Sequence, residues 1–120
     1  NYKSLWAAEK VKNEIMAFEQ RNGRKPVIAM MGLAFKPNID DLRESPAKEI
    51  VGKVMVGCNN ADIMVVEPNI TSHKVYKLYN YIEAYKRAEI VVFLTAHDEF
   101  KTLPYDESKV ILDFCGVFRR

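Results

Sequence analysis

The sequence predicts an α/β fold: a three-layer, Rossmann-like domain on a parallel sheet. Four apolar runs, at residues 27–31, 63–66, 90–94 and 110–114, are near-continuous rather than alternating. That is the pattern of strands covered on both faces. The segments between them carry helical signals, as crossovers between parallel neighbours must.

The first helix is read from Leu5, Ala8, Val11, Ile15 and Phe18, an apolar stripe at steps of three and four. No N-cap precedes it, so the chain is expected to be a piece of a longer polypeptide. Asn22-Gly23 should end it, since glycine takes the left-handed cap conformation. Lys25-Pro26 launches strand one. Ser45 is a good N-cap and Pro46 suits the first helical position. The second helix should bury Ala47, Ile50, Val51, Val54 and Met55 and end near Gly57. Strand two runs into the turn Glu67-Pro68-Asn69. Residues 72–88, with apolar Val75, Leu78, Ile82 and Tyr85, read as a helix broken near Asn80. A helical turn at 96–100 separates strands three and four. No repeat or low-complexity linker interrupts this order.

Composition narrows the function. The 120 residues suit one compact domain, with 48% hydrophobic and 28% charged residues. A net charge of +2 is too small for a general nucleic-acid surface, so an anionic partner would be met by a few placed cations. No stretch is long and apolar enough to span a bilayer, and no signal peptide opens the chain. Cys58 and Cys115 give no disulfide framework, which makes a reducing cytoplasm the expected location. The sequon Asn69-Ile70-Thr71 reads as chance in that setting.

In an open parallel sheet, ligands sit beyond the carboxyl ends of the strands. Those ends bring together Lys36 and Arg43 after strand one, and Glu67 after strand two. Thr95, His97 and Asp98 follow strand three, and Cys115, Gly116, Arg119 and Arg120 follow strand four. Lys36 and Arg43 read either as solvated loop charges balanced by Asp40, Asp41 and Glu44, or as a cationic loop beside a helix N-terminus that holds a phosphorylated ligand. No GxGxxG or GxxxxGK[ST] fingerprint occurs, so standard NAD binding by this chain alone is not expected. Glu67 reads as a turn residue rather than a ribose-binding acid, and His97 as a capping group rather than an acid or base. Cys115 lacks the setting of a nucleophile. His73 and His97 do not share metal-ligand spacing with the cysteines. Tyr76, Tyr79, Tyr81 and Tyr85 read as half-buried packing. No catalytic and no metal-binding residue is assigned.

Residues 32–47, Gly-Leu-Ala-Phe-Lys-Pro-Asn-Ile-Asp-Asp-Leu-Arg-Glu-Ser-Pro-Ala, form a long and specific string. It resembles the C-terminal, UDP-binding domain of the nucleotide-sugar 6-dehydrogenases, the family of UDP-glucose, GDP-mannose and UDP-N-acetylmannosamine dehydrogenases. Val65-Val66-Glu67-Pro68 looks like that domain's strand ending in Asp-Pro, with glutamate substituted. Residues 88–100 are similar to its next strand and turn. Asp113-Phe114-Cys115-Gly116-Val117-Phe118-Arg119 looks like the closing motif of the UDP-N-acetylmannosamine branch. Where the UDP-glucose branch carries an arginine two after the strand-four aspartate, this chain has Cys115.

The resemblance implies that Phe35, Lys36 and Arg119 contact a UDP-sugar, and that Arg43 reaches NAD held by another domain. It implies that residues 1–25 are the C-terminal part of an interdomain and dimerisation helix, and 26–120 the UDP-sugar-binding domain. The partners implied are the UDP-sugar, an N-terminal NAD-binding domain of the same chain and a second copy in a homodimer. The family's catalytic cysteine, with its assisting lysine and aspartate, lies upstream of this segment. The complete enzyme oxidises the sugar C6 alcohol to a carboxylate in two NAD-dependent steps, chemistry this segment alone is not expected to perform. A UDP-glucose dehydrogenase domain and a stand-alone nucleotide-binding or assembly module are the competing expectations.

Overall fold

A computed structural model describes residues 4–58 and 61–118. In chain order the elements are α1 (Ser4–Asn22), β1 (Val27–Met31), α2 (Pro46–Gly57), β2 (Asp62–Val66), α3 (Tyr81–Arg87), β3 (Ile90–Phe93), a 3-10 turn (Asp98–Thr102) and β4 (Val110–Asp113). All strand pairs are parallel, in the order β2-β1-β3-β4. Ala29 in β1 stands beside Met64 of β2 and Val91 of β3, which fixes the register of the buried centre.

The helix boundaries follow from local chemistry. Gly23 takes φ +70° and its N–H donates to the Glu19 carbonyl at 2.8 Å, closing α1. The Ser45 hydroxyl accepts from the Lys48 N–H at 3.3 Å, with Pro46 opening α2. Asn80 Oδ1 accepts from Ile82 and Glu83 and so starts α3.

Strand alternation divides the core into two layers. Ile28, Met30, Val65, Ile90 and Val92 pack under α1 and α2. Ala29, Met31, Met64, Val66, Val91 and Phe93 pack under α3 and Phe100 of the 3-10 turn. Each fully buried Val, Ile, Met or Phe contributes roughly 1.5–3 kcal/mol, so the sheet centre is the rigid part of the molecule.

Four expectations change. Leu5 is 64% exposed, while Ala7 completes the α1 stripe with Ala8, Val11, Ile15 and Phe18. At about 100° per residue, Ala7 falls beside Phe18, whereas Leu5 lies about 60° past Ala8, outside the buried arc. Met55 is only partly buried against the core. The helical turn begins at Asp98 rather than Ala96. Residues 72–80 are not helical. There Leu78 forms a parallel bridge with Val65, the Tyr79 N–H donates to the Val65 carbonyl at 2.9 Å, and His73 Nδ1 accepts from Val75 and Tyr76. These partners take the backbone groups a helix would need, and Val75 is left 75% exposed.

Candidate functional site

The chain leaves β1 towards β2 on one side, and β3 leads to β4 on the other. The connections therefore diverge between the carboxyl ends of β1 and β3, where a crevice must open. A cleft of about 340 Å³ lies there. Ala34, Phe35 and Pro37 line it from the β1 exit, and Pro46 and Ala47 from the start of α2. Leu94, Thr95 and Ala96 come from the β3 exit, and Phe114 and Cys115 from beyond β4.

The floor is tightly built. Gly32 takes φ +113°, and a Cβ there would stand 2.9 Å from Thr95 Cβ and Oγ1 and 3.0 Å from the Thr95 nitrogen. Only glycine lets the two strand exits approach this closely. The Thr95 hydroxyl then donates to the Ala34 carbonyl at 2.8 Å, and the Ser45 hydroxyl to the Leu33 carbonyl at 2.7 Å. Ser45 thus both caps α2 and ties its N-terminus to the β1 exit.

The sequence-predicted cations stand on the loop between β1 and α2. Phe35 is 48% exposed, and the Lys36 ammonium lies 5.7 Å from its ring centroid. Phe35 also borders a second cleft of about 280 Å³, shared with Asp41, Arg43 and Glu44. Of the lining residues the two clefts share only Phe35, and Arg43 lines this second cleft and not the switch-point cleft. Its guanidinium holds Asp41 through two contacts of 3.1 Å. The arginine's hydrogen bonds and charge bring the Asp41 carboxyl down to about 2, and the aspartate in turn raises the arginine. Arg119, the third expected cation, and Arg120 lie outside the described residues. The approach to them is well held: Asp113 accepts from the N–H groups of Gly116, Val117 and Phe118, each at 2.9 Å.

Glu67 and His97 take a larger part than the sequence reading gave them. The 3-10 turn starts after His97, but the ring makes no cap bond to it. Instead both side chains are fully buried, with His97 Nε2 3.0 Å from Glu67 Oε1. That oxygen also accepts from the Leu33 N–H at 2.8 Å and the Ala34 N–H at 3.0 Å, while Oε2 accepts from the Asn69 N–H at 3.0 Å. On the other side of the ring, Nδ1 accepts from the Asn38 N–H at 2.8 Å and faces Asn69 Nδ2 at 3.1 Å. A backbone N–H can only donate, so Nδ1 is bare and Nε2–H donates to the carboxylate. Burial pushes the Glu67 carboxyl up, yet the bonds from His97, Leu33 and Asn69 outweigh it and hold it below the ordinary range. A carboxylate and a histidine each following a buried apolar run were the available signal. Their meeting across 30 residues needed the strand order.

The remaining candidates are structural in setting. Burial, and then the Asp113 charge, push the Cys115 thiol up to about 12, which removes the thiolate a nucleophile requires. Cys58 and Cys115 are both free thiols. Among the described residues no group of three or more His, Cys, Asp or Glu could hold a metal ion, and no helix is long and apolar enough to cross a membrane. The sequon's Asn69 amide is engaged, donating to the Ile39 carbonyl at 3.2 Å.

A parallel sheet with a cleft at its switch point and a cationic loop on the rim defines a ligand-binding α/β domain of the nucleotide-binding type. Residues 29–120 match the UDP binding domain of the UDP-glucose/GDP-mannose dehydrogenase family, and the chain belongs to that family. It is 45% identical over 104 residues to an NDP-N-acetyl-D-galactosaminuronic acid dehydrogenase of Ralstonia solanacearum, a match covering 82% of this chain and 24% of that protein. It is 36% identical over 131 residues to the UDP-N-acetyl-D-mannosamine dehydrogenase of Escherichia coli (strain K12), covering 99% of this chain and 30% of that one. The fold matches the UDP-N-acetyl-mannosamine dehydrogenase Cap5O from Staphylococcus aureus with a TM-score of 0.75 at 24% identity, over 98% of this chain and 28% of that one. The chain thus spans 24–30% of the length of these relatives.

Proposed function

We propose that this chain is the UDP-sugar-binding part of an NAD-dependent nucleotide-sugar 6-dehydrogenase, with UDP-N-acetyl-D-mannosamine as the substrate to be oxidised to its uronate. The observation that carries the reading is the switch-point cleft walled by Phe35, with the Lys36 ammonium beside that ring and the start of α2 on its margin. An aromatic wall suits a flat ring. A lysine point charge and the positive end of a helix suit a diphosphate. Arg119 follows the Asp113-anchored turn and is assigned to the same ligand.

Arg43 is assigned to the cofactor. Its separate cleft, which shares only Phe35 with the switch-point cleft, supports a division in which substrate and NAD use different clefts bordered by one aromatic residue. The residues present do not fit a complete dinucleotide site: Gly32 is committed to the strand crossing, and Glu67, the candidate ribose acid, is saturated by four donors. No step of the oxidation is assigned to this chain. The cofactor is assigned to an N-terminal domain, and α1 to the end of the helix joining the two.

The relatives' names favour an N-acetylated sugar. The 45% identity to the Ralstonia protein favours a second reading, an N-acetylgalactosamine-derived substrate. Cys115, in place of an arginine, weighs against UDP-glucose. The test is a titration of this chain with UDP, GDP and ADP, followed by amide NMR. Selective UDP shifts at Thr95, Ala96 and Cys115 support the assignment. Shifts confined to other regions, or equal responses to all three nucleotides, oppose it. Assay of the longer polypeptide with UDP-N-acetylmannosamine, UDP-N-acetylgalactosamine and UDP-glucose then separates the sugars by NADH formation.

A further inference from the structure

We propose that Glu67 and His97 are positioning residues, a buried clasp that sets where Phe35 and Lys36 stand. The inference rests on the UDP-sugar reading of that loop and adds the device that holds it. Phe35 and Lys36 lie between two attachment points. At the root, Leu33 and Ala34 donate their N–H groups to Glu67 Oε1. At the tip, Asn38 donates its N–H to His97 Nδ1 and accepts from the Asp98 N–H at 2.9 Å, while Asn69 Nδ2 donates to Ile39. Root and tip are joined by the His97–Glu67 contact of 3.0 Å and, beside it, by Asn69, whose backbone N–H donates to Glu67 Oε2 at 3.0 Å while its side chain reaches the tip. Glu67 closes β2 and His97 follows β3, so the loop leaving β1 is hung between its two neighbouring strands.

The chemistry of the clasp is directional. The imidazole offers one bare nitrogen to the loop and one N–H to the carboxylate, and only that tautomer satisfies both sides. Asn38 sits at φ +64°, a conformation asparagine tolerates better than most residues, and it is held there by bonds at both its backbone and its side chain. The Phe35 N–H donates to the Asp41 carbonyl at 2.8 Å and closes the loop on itself. A displaced Asn38 would therefore swing the segment carrying Phe35 and Lys36.

The experiment compares parent, His97→Gln, His97→Leu, Glu67→Gln and Asn69→Ala. Each is measured for UDP affinity by NMR titration, for thermal midpoint, and for hydrogen exchange of the Phe35 amide. Glutamine at 97 can offer an acceptor to Asn38 and an N–H to Glu67, so His97→Gln should stay within about 3-fold of the parent in UDP affinity. His97→Leu and Glu67→Gln should weaken UDP binding about 10-fold and speed Phe35 exchange at least as much. Asn69→Ala, which removes only a partly exposed side chain, should give about a 3-fold loss and keeps the question answerable if His97→Leu fails to fold. Thermal midpoints that fall while UDP affinity and Phe35 exchange stay unchanged would make the pair merely structural and overturn the proposal. If the parent itself shows no UDP response, the substrate reading falls separately. The clasp is then judged on Phe35 exchange, where no change in Glu67→Gln and Asn69→Ala overturns it.

Discussion

Replacing Gly32 by alanine tests the close crossing on which the cleft is built. Two penalties combine. The backbone at φ +113° is strained for any L side chain, at about 1–3 kcal/mol. The added methyl would also meet Thr95 Cβ and Oγ1 at 2.9 Å and the Thr95 nitrogen at 3.0 Å. The nitrogen belongs to the backbone and cannot rotate away, so relief requires separating β1 from β3, an overpacking cost of about 1–3 kcal/mol. The total, about 2–6 kcal/mol, is a large share of the ~5–15 kcal/mol that stabilises a domain. At roughly 4 °C per kcal/mol for this size, the thermal midpoint should fall about 8–24 °C. Gly23→Ala is the control: its φ is +70° and nothing lies within 4 Å of the added methyl, so it should lose only the strain, about 1 kcal/mol and about 4 °C. Circular dichroism melts of the two variants give the comparison. Equal shifts would refute the crossing.

Glu67 predicts the acid limb of stability. Its carboxyl is held down in the fold, so the unfolded chain takes up the proton first. The contribution is complete above the unfolded value near 4.3 and is lost as pH falls through the lower folded value. Midpoints of Glu67→Gln should therefore decline less than the parent's between about pH 5 and pH 3, and parallel curves would contradict this. With its thiol near 12, Cys115 in a Cys58→Ser background should react with iodoacetamide at pH 8 about 100-fold more slowly than an ordinary exposed cysteine, even allowing for the greater nucleophilicity of a basic thiolate. Mass spectrometry measures it, and labelling at the ordinary rate would show a wetter cleft than the structure has.

Features fixed by neighbours in sequence were legible from the chain, and features fixed by neighbours in space were not. Ser45-Pro46 marked the start of α2 because a cap bonds within its own first turn. Gly23 marked the end of α1 for the same reason. The four apolar runs located the strands within one residue because a doubly covered strand has no polar face to blur it. The stretch 72–80 misled because its apolar spacing mimics a helix, while its hydrogen bonds go to Val65 on another element. Leu5 misled because a stripe at steps of three and four has two possible edges, and only packing against α2 and β3 chooses between them. The loop cations were visible by residue type, but not that Arg43 lines a second cleft with Phe35 while Lys36 stands against the Phe35 ring. Glu67 and His97 looked like a turn acid and a cap because each, taken alone, is ordinary.

Under the proposed function, Lys36 is assigned to the nucleotide and Arg43 is not. Among the described residues Lys36 stands against Phe35, whereas Arg43 is held by Asp41 at a different cleft. A charge-assisted hydrogen bond contributes about 1.5–3 kcal/mol, enough for a 10- to 100-fold change. Calorimetric titration of UDP into the parent, Lys36→Ala and Arg43→Ala tests it most directly. The parent dissociation constant should be on the order of 0.1–1 mM, with at least a 10-fold loss in Lys36→Ala and less than a 2-fold change in Arg43→Ala. Equal losses in the two variants, or no parent binding at several millimolar, would contradict it.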